Sequence, residues 1–246
     1  MTAPSRRLII NADDLGYDPA VSEGIVLAMR SGVVTSSTLM VNLPHSEHGA
    51  ALARGLSVGL HLNLSRGTPV SGGFPPSLLR AGAFDEALVG SLSPDAVAEE
   101  AEAQLARAEE LLGGPPTHVD VHRHLHRFPA VLEGVSRVAG SRGLPVRALD
   151  ETMRAQLRRA GVRTTDHFVG EASGEAYWTE LRFAETVAAL AEGITELMCH
   201  PGYPPRQTHT SYALQRAVEL ATLTSAAARQ AIAEAGISLG SFADLG

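Results

Sequence analysis

The stretch "RRLIINADDLGYDPAVSEGIVLAMR", residues 6–30, decides the fold. A β-rich run over 6–11 passes into polar Asn11, Asp13 and Asp14. Asp18 and Pro19 then have the form of an N-cap and a first helical residue, and the pattern beyond them predicts a helix through about Arg30. A strand that ends in polar residues and turns into a helix is half of a βαβ unit.

The same alternation continues along the chain. Strands are expected at 35–42, 57–64, 118–122, 146–149, 165–170 and 195–201. Helices are expected at 45–55, 93–114 (capped by Ser93 and stopped by Gly113–Gly114), after residue 128, briefly after 149, over about 178–192 and in an Ala-rich region from about 211 to 235. Residues 65–92 read mostly as a long loop, and "ISLGSFADL" closes the chain. About seven such units in 246 residues predict one α/β domain spanning 1–246, with a β/α barrel favoured over an open sheet. In either architecture chemistry belongs at the carboxyl ends of the strands.

Bulk composition narrows the function classes. A 44% hydrophobic content fits a soluble protein with a large core, and no apolar run reaches the length of a membrane span. The N-terminal "LII" is too short for a signal-peptide core, so a cytoplasmic location without membrane insertion is expected. The net charge is −7, lysine is absent and the arginines are scattered. No basic face is visible, which excludes nucleic acid as the expected partner. Cys199 is the sole cysteine, so neither an internal disulfide nor a cysteine zinc cluster can form.

Four strand ends carry residues suited to a metal hydrolase: "NADD" (11–14), His61 in "GLHLNL", "DVHRHLH" (120–126) and His200 in "CHPGY". Side chains alternate along a strand. Asp120 and His122 therefore share a face, joined by His124 and His126 if the strand persists, while Val119, Val121 and Leu125 take the other. In the preceding strand His61 and Asn63 share a face. Imidazole with carboxylate makes a mixed nitrogen–oxygen metal site. Asp13 and Asp14 would diverge in a regular strand, but a bend before Gly16 lets both reach one centre, one as ligand and one as base. His118 precedes the strand and is expected to face away. His45, His48 and His209 are expected at the surface, and Cys199 in the core on the face opposite His200.

Together "NADDLG", "GLHLNL", "THVDVHRHLHRFP" and "CHPGY", with the tail "ELATLTSAAARQAIAEAGISLGSFADL", resemble the YdjC-like carbohydrate deacetylases, also called the ChbG/HpnK family. The resemblance implies a distorted β/α barrel of the glycoside hydrolase/deacetylase type. It also implies a metal-dependent enzyme that removes acetyl groups from small N-acetylated carbohydrates. Mapped onto this sequence, it makes Asp14, His61 and His122 the metal ligands and Asp13 the catalytic base. Family members are commonly described with Mg²⁺, whereas Asp plus two His also suits Zn²⁺ and its neighbours; the sequence leaves one divalent ion, Mg²⁺ or Zn²⁺. Relatives often read D-S-H-H-H-V-H where this chain reads D-V-H-R-H-L-H, with Val121 and Arg123 expected opposite His122.

For the reaction, His200 is the candidate acid for the leaving amine, with His126 in reserve. Asn63, His124, Phe74, Tyr203 and Asp166 are candidate substrate contacts, and Tyr212 is a further loop aromatic. Two other readings stay open: a metal-dependent phosphoesterase on the same scaffold, and a sugar- or metal-binding barrel without turnover. Oligomeric state is not written in the sequence, and a homodimer is allowed.

Overall fold

The computed structural model describes residues 6–172 and 175–245; the first five residues, part of the N-terminal reading, lie outside that range. Its strands in chain order are β1 (Arg6–Leu15), β2 (Ser36–Leu39), β3 (Val58–Leu62), the short pair β4 (Leu79–Arg80) and β5 (Ala83–Phe84), β6 (Val119–Val121), β7 (His167–Val169), β8 (Gly193–Cys199) and β9 (Ser238–Leu239). The helices are α1 (Pro19–Ser31), α2 (Ser46–Leu52), α3 (Pro94–Leu112), α4 (Pro129–Ser141), α5 (Glu151–Arg159), α6 (Glu180–Ala188), α7 (Leu214–Thr224) and α8 (Ala226–Glu234).

Six strands form one parallel sheet in the order β6-β3-β2-β1-β8-β7, and β9 pairs with the start of β1. Central β1 is buried from Leu8 to Leu15, as expected of a strand with helices on one face and the packed barrel interior on the other. The sheet curls into a barrel that its backbone does not complete. Residues 146–149 make only one bridge, Val146 to Val119, and Arg147 N–H donates to the Val119 carbonyl.

Local chemistry sets the element ends. The Asp18 carboxylate accepts from Ala20 N–H with Pro19 in the first turn of α1. It also accepts from the backbone of Gln207 and Thr208, tying that loop to the helix. Ser93 caps α3, and Gly113, at φ 72°, ends it. The Ala-rich region is two helices, because extended Ser225 interrupts it and caps α8. The 65–92 loop holds a two-strand hairpin, anchored where buried Glu100 accepts from Val70 and Ser71 N–H.

Side chains join what the backbone leaves open. Arg147 is fully buried inside the barrel. Its Nε donates to Glu196 of β8 at 2.7 Å, and Nη1 and Nη2 each donate to one Asp13 oxygen of β1 at 2.7 Å. Nη2 also lies 2.9 Å from Asp120 of β6, and the guanidinium sits over the Phe168 ring of β7. A planar five-donor fork suits such a junction, where lysine would not.

Removing one partner of a buried ionic cluster strands the others. Arg147→Met is therefore expected to lower the unfolding free energy by about 3–5 kcal/mol, measured by urea unfolding. A loss below about 1 kcal/mol would contradict this structural role.

Glu196 tests the same cluster by pH. Burial, opposed by Arg147 and reinforced by Asp120, pushes its carboxyl from near 4.5 up to about 7. The folded state then holds this proton more tightly than the unfolded chain. The resulting stability is complete below about pH 4.5 and is lost as pH rises to about 7. Glu196→Gln should melt with a flatter pH dependence across that window than the unchanged protein; parallel curves would refute the assignment.

Candidate active site

A cleft of about 950 Å³ opens at the carboxyl ends of the strands, the size of a small-ligand site. Asp13, Asp14, His61, His122 and His200 all line it. They arrive there by three different backbone devices.

The first is a bulge. The β1–β2 register steps from Ala12↔Ser37 to Leu15↔Leu39, so one extra residue sits in β1. Within it Asp14 takes φ 76°, a left-handed conformation costly for a residue with a Cβ. The expected bend is therefore real. Asp13 stays on the face of Asn11, whose Nδ2 donates to it at 2.9 Å, and Asp14 is turned toward the same interior. The second device is regular strand geometry, by which β3 points His61 inward beside Asp120.

The third is a turn, and the strand does not persist through His124 and His126. β6 stops at Val121, and His122–Arg127 is a tight 3₁₀ segment with Arg123 and His124 both at φ 55°. His122 remains at the cleft, but the alternation beyond it is not strand alternation. His126 is fully buried and lines a separate groove between α4 and α5 instead of the cleft. Neither of its ring nitrogens has a partner, and burial with Arg147 holds it down to about 3. Arg123, expected opposite His122, instead stands on the cleft rim and pairs with Glu86 at 2.6 Å.

Three ligand atoms form a triangle. His61 Nε2 and His122 Nδ1 are 3.2 Å apart, and Asp14 Oδ1 lies 3.3 Å from the first and 3.4 Å from the second. Ligands about 2.1 Å from a common tetrahedral centre are about 3.4 Å apart, so the triangle has the edges of a metal site. Asp14 Oδ1 is buried without a hydrogen-bond partner, as a ligand oxygen would be. Two imidazoles and one carboxylate fit a divalent ion of the zinc type and leave further coordination positions open.

The surroundings complete the fit. His61 Nδ1 meets Asp120 Oδ1 at 2.6 Å; with Nδ1–H donating to that carboxylate, Nε2 is the nitrogen left to act as a ligand. Burial disfavours a charged His61, but Asp120, with Asp14 and Asp13, outweighs it and lifts the ring to about 10. The pocket is thus built for positive charge at this point. Burial raises the Asp14 carboxyl, and Arg216 with the two histidines overcomes this and holds it well below the usual range. Asp13 behaves alike: Arg147 outweighs its burial and keeps it ionised. A second acidic group, Asp13, His61 and Asp120, also has ligand atoms within 4.8 Å of one another. Arg147 already bonds both carboxylates there, which leaves no room for a second cation.

His200 also lines the cleft, and its Nδ1 is buried with no partner. Its backbone N–H donates to Glu219 at 2.6 Å, and its ring meets Tyr212 edge-on. Glu219 also accepts from the Tyr212 hydroxyl. His124 lines the cleft, edge-on to Phe168, held down to about 2 by burial and Arg147.

Other candidates lie elsewhere. Asn63 is fully buried and its amide is engaged by Asn42, Ser65 and Arg66, so it shapes the following turn without lining the cleft. Phe74 is buried against Phe84 under the loop. Tyr203 is exposed outside the cleft, beside α1. Asp166 sits at the amino end of β7, bonded to Arg158 and Ile194 N–H, at the far end of the strand from the site. His118 enters the barrel interior below Asp120, with Nε2 3.1 Å from Asn11 and its ring stacked on Phe242. Cys199 is buried, and its thiol donates to the Asn11 carbonyl.

Sequence reasoning did not single out Arg147, Glu196, Arg216 or Glu219. The first two carried a signal, since each is a charge in the middle of an apolar strand run, "VRAL" and "TELMC". The other two sit on one face of a helix with no local mark.

The family model described as "YdjC-like protein" matches residues 7–234. A chitooligosaccharide deacetylase of Serratia marcescens is 39% identical, over 97% of this chain and 98% of its own. That of Salmonella typhimurium is also 39% identical, over 98% and 99%. Among solved structures, an Enterococcus faecalis protein described as a candidate cellobiose-phosphate cleavage protein superposes with a TM-score of 0.88 at 28% identity, covering 98% of this chain and 99% of that one. The Xyl-CE4 domain of a multidomain xylanase from the hindgut metagenome of Trinervitermes trinervoides shares the fold, at TM-score 0.53 and 9% identity, over 98% of this chain and 89% of that one.

Proposed function

The chain belongs to the YdjC-like family, and from that premise we propose that it is a metal-dependent carbohydrate N-deacetylase. Its substrate is an N-acetylglucosamine oligomer of the chitooligosaccharide class, and the products are acetate and a free amino sugar. The observation that carries this reading is the Asp14–His61–His122 triangle beside ionised Asp13, at the floor of a cleft large enough for a short sugar chain. The near-full-length likeness to chitooligosaccharide deacetylases supports the substrate class.

A divalent ion held by Asp14, His61 and His122 supplies Lewis acidity, making water more acidic and the acetyl carbonyl more electrophilic. The two imidazoles favour Zn²⁺ or a similar ion over Mg²⁺. Asp13 is the acceptor that orients the attacking water and takes its proton. A carboxylate held this far below the working pH is a weak base, so it takes the proton only as attack proceeds and passes it on. His200, which lines the cleft, protonates the departing amine. Burial keeps His124 neutral, so it contacts the sugar as an uncharged group. His126 has no part in the step.

Acetate release should be measured from di- and tri-N-acetylchitooligosaccharides after chelation and after adding back Zn²⁺, Co²⁺, Mn²⁺ or Mg²⁺. Chelated enzyme should be inactive and Zn²⁺ or Co²⁺ should restore it better than Mg²⁺. Asp13→Asn should cost about 10²–10⁴-fold in kcat while metal content by mass spectrometry stays at the unsubstituted level. Asp14→Ala and His122→Ala should lose metal and activity together. Full activity in chelated protein, or in Asp13→Asn, would overturn the proposal.

A further inference from the structure

Helix α7 carries Arg216 and Glu219 one turn apart, both buried, and neither is a ligand or a reacting group in the reading above. The donors of Arg216 can be accounted for one by one. Nε donates to the Tyr212 carbonyl at 3.0 Å, and Nη2 donates to Asp14 Oδ2. The guanidinium carbon lies 5.7 Å from the Tyr17 ring centre and 5.9 Å from that of Tyr212. Nη1 has no partner. Glu219 holds the Tyr212 hydroxyl, so one of the rings flanking the guanidinium is itself fixed.

Asp14 is divided by this arrangement. One carboxylate oxygen is bound to Arg216, while the other has no hydrogen bond and faces both imidazole nitrogens. A carboxylate can bind a cation through one oxygen or two. If Oδ2 lost Arg216, it would be a buried charge without a donor, and the strongest attraction open to it would be the cation beside its sister oxygen.

We propose that Arg216 is a positioning residue that makes Asp14 a one-oxygen ligand, and so keeps a coordination position of the bound ion free for water and substrate. This rests on the metal-triad reading of Asp14, His61 and His122. Arginine is the residue the task requires: Nε and Nη2 hold the Tyr212 carbonyl and the Asp14 oxygen at once, which a lysine ammonium cannot do with fixed geometry.

The test loads the full-length protein and its Arg216→Met and Arg216→Lys variants with Co²⁺, and records visible absorption, Co²⁺ affinity by calorimetry and acetate-release kinetics. Arg216→Met should still bind one Co²⁺, at an affinity no weaker than about tenfold below that of the unsubstituted protein. Its absorption should weaken as the coordination number rises, with kcat falling about 10–100-fold and KM little changed. Arg216→Lys, whose ammonium can donate to Oδ2 but not hold the Tyr212 carbonyl as well, should show the same change in smaller measure, and decides the matter if Arg216→Met does not fold. A Co²⁺ spectrum in the variants identical to that of the unsubstituted protein would overturn the proposal. Asp14→Ala separates the two levels. If it binds Co²⁺ like the unsubstituted protein, the triad reading fails; if it loses Co²⁺ while the Arg216 spectra stay unchanged, only the role of Arg216 fails.

Discussion

One buried guanidinium holds this barrel and its site in register. Arg147 reaches Asp13 on β1, Asp120 on β6 and Glu196 on β8 from a segment that barely joins the sheet. A backbone ladder would have closed the barrel without regard to chemistry. An ionic junction closes it through the same carboxylates that surround the triangle. Asp13 is kept ionised by it, and Asp120, fixed by it, orients His61. Fold stability and active-site geometry therefore share one set of bonds.

The site is otherwise built from departures from regular structure. A single extra residue in β1 turns Asp14 into the interior beside Asp13. Two left-handed residues after β6 fold the histidine-rich segment back on itself, which leaves His122 at the cleft and sends His126 behind it. Such conformations are costly alone and persist where surrounding contacts over-determine them. Here those contacts include buried Arg216 on Asp14 and the Phe168 ring against His124, while the exposed Arg123–Glu86 pair adds little.

Charge balance gives the arrangement a common purpose. Asp14 and Asp120 flank His61 and raise its proton affinity; Arg216 offsets Asp14, and Arg147 is shared among Asp120, Asp13 and Glu196. The result is a buried pocket that accepts positive charge at one point, beside an ionised acceptor and a histidine wall. Metal-assisted amide hydrolysis uses such a set: a cation at the carbonyl oxygen, an acceptor for the proton of the attacking water and a donor to the leaving nitrogen.

The sequence alone determined the class of fold and the polar strand ends, and the family resemblance singled out which three of those residues form the triangle. Strand–helix alternation, the caps at Asp18 and Ser93 and the stop at Gly113 are local effects, and they hold in the folded chain. The polar strand ends "NADD", "GLHLNL" and "DVH" were legible because inward polar residues at the end of an apolar strand are conspicuous against a period of two. What only the tertiary structure decided is which partners those residues meet. A strand pattern cannot announce where it stops, and the placing of His124 and His126 depends on a strand end that only the folded chain sets, at Val121. Loop residues such as Phe74, Tyr203 and Asn63 looked available in sequence, yet packing and turn hydrogen bonds took them out of the cleft. Arg147 and Arg216 stand 134 and 202 positions from the aspartates they hold. Ionic bonds depend on distance in space, and only the closed barrel makes those distances short.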